Sequence, residues 1–497
     1  MSDLPIPGSL YLVDDNHISH QQHAAGKQSI VLSPIPSRDC NDPLNWTFKR
    51  KQLAHFSLVV YVMTVGIGGS ALYSVITPIS EDTGISVSTL NAGTGYRFFG
   101  TPIESLIEVS ISDLFFAHER GLYIGIYATL VFGSNFVGPL IAGVRSFFRL
   151  PCASTDRVFS SSTNHKAGNW SAIISMIGFV WCFLFMEETN YVRSTTEINE
   201  EHETGSGTNS SPTEDDLKKS EPVNSSVTPV DSFESLNALQ GTPSTILQRL
   251  LFFNKRYTSL KTSLTMVYRP LLLLRFPVVF WSGFLYGTSL VMYNILNATA
   301  SIILSAAPYN FKASSVGLMY VGPIVGVICG SFYSGWYGNK FALWFARRRK
   351  GMREAEDRLW LMSLCCLLCP SALILWGVGA AHDLHWIGLA FGFAMSSFCS
   401  MVAGSLVLGY CLDSYKDLAG EAMMSVILVR NTLSFAIGYG ITPWLKIGLQ
   451  NTFISAAFVG LAINCTFLPV IKWGKVWRAA SRVRYWGYVK NSAATGH

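Results

Sequence analysis

Long apolar runs alternate with short polar breaks along this chain, and a few longer polar stretches interrupt the rhythm. The apolar runs fall at about 54–79, 91–116, 121–144, 169–187, 273–297, 314–337, 358–380, 385–411, 422–445 and 451–472. Each reaches roughly 20 residues, the length an α-helix needs to cross a ~30 Å hydrocarbon core. None alternates apolar with polar as a barrel strand does, so helix is the predicted spanning element. The pattern predicts an all-α membrane protein with about ten transmembrane helices. Residues 1–52 are polar and are expected to form a disordered tail, with no cleavable signal peptide, so the first span is expected to act as its own insertion signal. Residues 188–268, rich in Ser, Thr, Glu, Asp and Asn, read as a disordered linker. It serves as a tether or a phosphorylation target, and it divides a front group (53–187) from a back group of six spans (269–472). Residues 473–497 read as a basic tail whose Trp473, Trp477, Tyr485 and Trp486 suit a surface of anionic headgroups.

Charge adds orientation. Of 497 residues only 14% are charged, about half the share a soluble chain carries. The net charge of +6 does not point to nucleic acid, because the basic residues sit at span ends. Lys49–Lys51 precede the first span, Arg347–Lys350 and Arg353 follow the sixth, and Lys472, Lys475, Arg478, Arg482 and Arg484 follow the last. The positive-inside rule places all three clusters, and both termini, in the cytoplasm. The cysteines in apolar stretches, including Cys365, Cys366, Cys369, Cys399, Cys411 and Cys465, share no metal-type spacing with His and read as small buried hydrophobes. No metal site and no cofactor is expected. No phosphate-binding loop and no Gly-x-Ser-x-Gly elbow occurs, so neither an enzyme nor an ATP-driven pump is expected.

Several segments resemble one family. They are the box Asn41-Asp42-Pro43-Leu44-Asn45-Trp46 before the first span, Pro102-Ile103-Glu104-Ser105-Leu106, His118-Glu119-Arg120-Gly121, Met186-Glu187-Glu188-Thr189-Asn190-Tyr191, and Val429-Arg430-Asn431-Thr432 followed by Ser434 to Gly440. Together they resemble the fungal drug:proton antiporter branch of the major facilitator superfamily. The resemblance implies twelve helices in two six-helix bundles and a central cavity open alternately to each side; a site near the midplane between two halves is what such folds provide. It also implies the antiporter motif of the fifth family helix at Gly133, Gly138, Pro139 and Gly143, a hinge or a seal against leak. An ordinary kinked, closely packed helix is the plainer reading of the same residues.

Two departures from the family stand out. Asn91 to Tyr96 resembles the start of the family's second helix and Arg97 to Pro102 the middle of its fourth, so two spans and a gating loop are missing between them. Val144–Ala167 resembles nothing in the family and places Arg145, Arg149, Arg157 and Lys166 in a loop expected outside, against the charge rule. We read it as translated from an unspliced intron, and the missing spans as a gene-model error or a real deletion.

Chemistry within the spans is sparse. Glu104 and Glu108 share a helical face, and Asp113 lies nearer the cytoplasmic end. A carboxylate in hydrocarbon must face a cavity, pair or take up a proton, so these acids are candidates for proton coupling or cation recognition, or for ion pairs with Arg97 or Arg120. Arg430 and Asn431 sit mid-span, with Asp413 or Glu421 as expected partners of the guanidinium; either an anionic substrate group or a cytoplasmic gate fits. Asn135, Tyr293, Asn294 and Tyr410 suit the lining of a pocket for flat or amphipathic molecules. The stripe Gly322, Gly326, Gly330 suits close helix packing or the pathway wall. The expected function is proton-coupled export of a drug, toxin or secondary metabolite by a monomer in the plasma membrane. Uptake of organic cations such as polyamines and a non-transporting remnant are the alternatives.

Overall fold

The computed structural model describes residues 7–11, 23–24, 27–31, 42–74, isolated positions between 76 and 115, 117–148, 165–189, 268–348 and 352–494. Glu104, Glu108 and most of the 91–116 span lie outside the described residues, as do 190–267 of the linker and 149–164 of the unmatched segment.

The front group contains α1 (Phe48–Ser70), α2 (Ala117–Phe148) and α3 (His165–Phe185). The box before α1 is a built cap. Asp42 accepts from the Leu44 amide at 3.0 Å and starts a turn at Pro43–Asn45; Lys51 donates back to the Leu44 carbonyl at 2.9 Å. Arg50 lies over Trp46 and donates through Nε to Glu187 at 2.9 Å, which ties the entry of α1 to the exit of α3. α1 packs on both α2 and α3, and Ile107, Ile111, Leu114 and Phe115 share a small core with Ala54, Leu58 and Val62. Much of α3, including Met176, Ile177 and Phe179, is exposed. An apolar face without protein cover is what lipid solvates.

The back group is larger and shares one continuous core. It comprises α4 (Pro277–Ser305), α5 (Ala313–Met319), α6 (Val321–Phe332), α7 (Gly338–Arg348), α8 (Ser363–Ala381), α9 (Trp386–Ser414), α10 (Ala419–Leu445), α11 (Leu449–Asn464) and α12 (Phe467–Ala494). Seven of the described helical stretches are long and apolar enough to cross a membrane. The glycine stripe is packing. Cβ atoms on Gly322 and Gly330 would fall 3.0 Å from the carbonyls of Ala390 and Phe398, and one on Gly326 would strike the Ala394 carbonyl, so α6 and α9 touch backbone to backbone.

The structure corrects four boundaries. Gly335–Lys340, read as a short turn, is helical: a π stretch at Tyr333–Tyr337 leads into α7, whose Lys340 and Arg348 lie over Trp336 and Trp344. The last span is not one helix, because the chain breaks at Cys465–Thr466 and α12 runs on to Ala494, absorbing most of the expected tail 473–497. Residues 144–148 continue α2, and 165–167 open α3. The N-terminal region is not structureless where described: β1 (Ser9–Tyr11) pairs antiparallel with β4 (Met352–Glu354), and β2 (His23–Ala24) with β3 (Lys27–Val31).

Candidate transport pathway

The described contact between the groups runs mainly along α2, which packs on α5, α6 and α9. Call the end of the bundle that holds Lys49–Lys51 the basic end. At the far end Gly143 meets Gly317: a Cβ on either would lie 2.6 or 2.7 Å from the other's Cα. No side chain fits between them, so the two backbones meet directly. Gly138 faces α1, where a Cβ would lie 2.7 Å from the Ile67 carbonyl, and Pro139 is buried inside α2. Gly133 faces open space. Of the predicted motif, Gly138 and Gly143 therefore carry close approach, to α1 and to α5 respectively.

Toward the basic end the interface becomes aromatic and polar. Phe136, 1% exposed, enters a box of back-group rings with centroids at 5.0 Å (Tyr293), 6.1 Å (Phe393) and 6.5 Å (Tyr320). Behind it Tyr320 donates to Asn297 Oδ1 at 2.7 Å, and Asn297 Nδ2 donates to the Tyr293 hydroxyl at 3.1 Å. One turn earlier on α2, Phe132 lies 6.1 Å from Tyr286, and Gly404 makes room for both rings. Arg430, 6% exposed, donates from Nη1 to the Tyr286 hydroxyl at 3.1 Å. Its Nε and Nη2 donate to Asn431 Oδ1 at 2.9 and 2.7 Å. Nearer the basic end, Thr129 and Ser331 share a hydroxyl–hydroxyl bond across the groups.

The structure thus brings Tyr293, Arg430 and Asn431 to one inter-group surface, with Asn294 half-buried beside Tyr293. Asn135 is half-buried and donates to the Val131 carbonyl of its own helix at 2.8 Å. Asp113 is half-buried near the basic end. Two expectations are corrected. Glu421 pairs with Arg269 at 3.2 Å rather than with Arg430. Tyr410 does not line the pathway: its hydroxyl donates to Glu356 at 3.4 Å in a cluster at the basic end.

That cluster is built around Arg478, which is fully buried. Its Nε donates to Glu356 Oε1 at 2.9 Å, and its Nη2 donates to Glu354 Oε2 at 3.0 Å and to the second Glu356 oxygen. Lys475 donates to the other Glu354 oxygen at 2.6 Å. Burial pushes the Glu354 carboxyl up, but the hydrogen bonds and charges of Lys475 and Arg478 outweigh it and hold the group below its ordinary value. The sequence reading missed this cluster and the box residues Phe132, Phe136, Tyr286, Asn297 and Tyr320. Nothing local in the sequence signals the former, because Glu354 and Glu356 lie 124 and 122 residues before Arg478. Among the described residues no group of three or more His, Cys, Asp or Glu is placed to hold a metal.

A family model described as Major Facilitator Superfamily matches residues 59–443. An uncharacterised MFS-type transporter of Schizosaccharomyces pombe is 27% identical over 570 aligned positions, covering 97% of this chain and 94% of the relative. Protein HOL1 of Saccharomyces cerevisiae is 25% identical over 92% of this chain and 90% of its own length. MFS antiporter QDR3 of Candida albicans is 25% identical over 45% of this chain and 33% of its own.

Proposed function

Because the chain belongs to the major facilitator superfamily, we propose that it moves small organic molecules across a membrane by alternating access, in the direction of export and coupled to protons. The chain is a multi-pass membrane transporter and not an enzyme. The observation that carries the finer reading is the graded interface along α2. Bare backbone closes the far end at Gly143–Gly317, while rings, hydroxyls and one guanidinium occupy the middle. Two halves sealed at one end around a polar-aromatic midplane are what alternating access requires. Export is supported by the Gly138–Pro139 motif and by the likeness to a relative named as an antiporter. Basic clusters at one end support a cytoplasmic location for that end, and the plasma membrane is the proposed location.

The test is flux in proteoliposomes with an imposed pH gradient and a labelled lipophilic cation as probe. Protonophore-sensitive movement against the proton gradient is expected. Flux indifferent to the protonophore overturns proton coupling, and accumulation in the opposite direction points to uptake of organic cations such as polyamines. Arg430→Gln is expected to lower flux about tenfold or more, the scale of lost hydrogen bonds to a charged donor. Arg430→Lys is not expected to rescue it, since one ammonium cannot reach the Tyr286 hydroxyl and the Asn431 carbonyl with the guanidinium's planar fork.

The expected loss of two front-group spans bears on this reading. The alignment to the S. pombe relative runs over 570 positions but takes in 97% of these 497 residues, about 482, so roughly 90 positions of that relative have no counterpart here. Sequencing the transcript across codons 90 to 170 is expected to restore two spans and to join Gly143 to Asn169 directly. A transcript that matches the chain as written makes a non-transporting remnant the better reading.

A further inference from the structure

The basic end of the back group holds a groove that the transport pathway does not use. Its floor is the end of α9 at Asp413 and Ser414, one wall is the β4 edge, and the other is α12 at Arg478. The segment Pro7–Tyr11 lies in it. Three independent features fit that segment to the groove. The Pro7 carbonyl accepts from Arg478 Nη1 at 2.6 Å, a donor otherwise buried with a guanidinium that is 0% exposed. Gly8 has φ +88, a conformation that favours glycine, and a Cβ there would lie 2.7 Å from Arg478 Nη1 and 2.9 Å from the Ser414 Cα. Beyond it, Ser9, Leu10 and Tyr11 pair with Glu354, Arg353 and Met352.

We propose that this groove is a peptide-binding site for an extended Pro-Gly segment, filled in cis by the chain's own N-terminus as a releasable strap. The mode is strand pairing: the three-residue strand β4, whose sheet partner is the strap itself, gives affinity through the backbone, and one buried side chain selects the register. Here the register is set by a carbonyl placed before a glycine, since Arg478 needs an acceptor and the groove has no space for a Cβ. Residues 12–41 separate the strap from the cap of α1, and with His23–Val31 folded back as the β2–β3 hairpin the other 21 residues still reach about 70 Å when extended, enough to cross from the front group. The strap therefore joins the lead-in of the front group to the back group at the end opposite the Gly143–Gly317 seal. The transport pathway does not account for it.

The test uses the chain truncated before Leu12 and a fluorescein-labelled peptide spanning Leu4 to Leu12, read by anisotropy in detergent. Saturable binding to the truncated protein, no binding to the full chain whose groove is already filled, and no binding of the Gly8→Val peptide are expected. Equal binding to both proteins, or by both peptides, overturns the proposal. If the truncated protein is not monodisperse, the full chain carrying Ser414→Cys replaces it. Gly8 covers that position, so labelling by a water-soluble maleimide is expected to be slow there and about tenfold or more faster when Gly8→Val is added. An unchanged rate overturns the proposal. Neither readout involves transport, so a failed flux assay leaves the strap standing and a failed strap leaves the transport reading standing.

Discussion

Arg478→Ala is expected to lower the stability of the folded protein by about 3–5 kcal/mol, because it strands two buried carboxylates. Glu354 and Glu356 have side-chain exposures of 12% and 7%, and both bond the same guanidinium. With the guanidinium gone, Glu356 retains the Tyr410 hydroxyl, and Glu354 retains Lys475, which is half-exposed and screened. Melting followed by tryptophan fluorescence in detergent checks this as a large fall in midpoint. A triple change, Arg478→Met with Glu354→Leu and Glu356→Met, is expected to recover most of the loss, since apolar groups of similar volume need no partner. If the single change leaves the midpoint unaltered, the cluster does not hold the basic end together. The same cluster sets a pH signature. Glu354 has its carboxyl held below the ordinary value, so its contribution is complete above an unfolded value of about 4.3 and disappears as pH falls through the lower folded value. The midpoint is thus expected to hold steady from neutral pH to about 5 and to fall below that, more steeply in the wild type than in Arg478→Ala.

This cluster also marks where the sequence stopped being legible. Hydropathy located seven of the ten expected spans among the described residues because a membrane helix announces itself locally, over about twenty consecutive residues. The Gly322, Gly326, Gly330 stripe was legible for the same reason: the spacing puts all three on one face, and they meet the carbonyls of Ala390, Ala394 and Phe398. The box at Asp42–Trp46 read as a family mark and proved to be a physical one, a capped turn bound to Glu187 through Arg50. Arg478 fails this kind of reading. Its partners lie at positions 7, 354 and 356, and nothing local distinguishes it from Lys472 or Arg484 as one more basic residue after a span. Tyr410 fails in the opposite direction. An aromatic hydroxyl in apolar surroundings looks like a pocket liner, yet its partner is a carboxylate 54 residues earlier. The break at Cys465–Thr466 does carry a signal, Pro469, which has no amide to bond the Cys465 carbonyl, and the apolar run through 472 masked it, so the last span and the helix after it read as one element and a tail.

Gly143→Val is expected to reduce transport by about tenfold to a hundredfold while the protein still folds. The argument rests on the far-end seal, where the Cα of Gly143 and that of Gly317 approach so closely that even a Cβ lies 2.6 Å from its neighbour. An added side chain at such a contact costs about 1–3 kcal/mol, paid only in the state where the far ends touch. A penalty on one of two states shifts their ratio by roughly five- to 150-fold. The halves then dwell apart at the far end, and the cycle stalls before it can present the aromatic midplane to the other side. Gly133→Val is the matched control. A Cβ at Gly133 meets nothing within 4 Å, so this change is expected to leave flux nearly unaltered even though both glycines belong to one motif. Accessibility separates a stalled cycle from a damaged protein. A cysteine at Ala313, whose carbonyl lies 2.9 Å from the place of a Gly143 Cβ, should react faster with a membrane-impermeant thiol reagent in Gly143→Val than in wild type. Equal flux in the two glycine variants, or unchanged labelling at position 313, would show that the motif bends and packs α2 without sealing the far end.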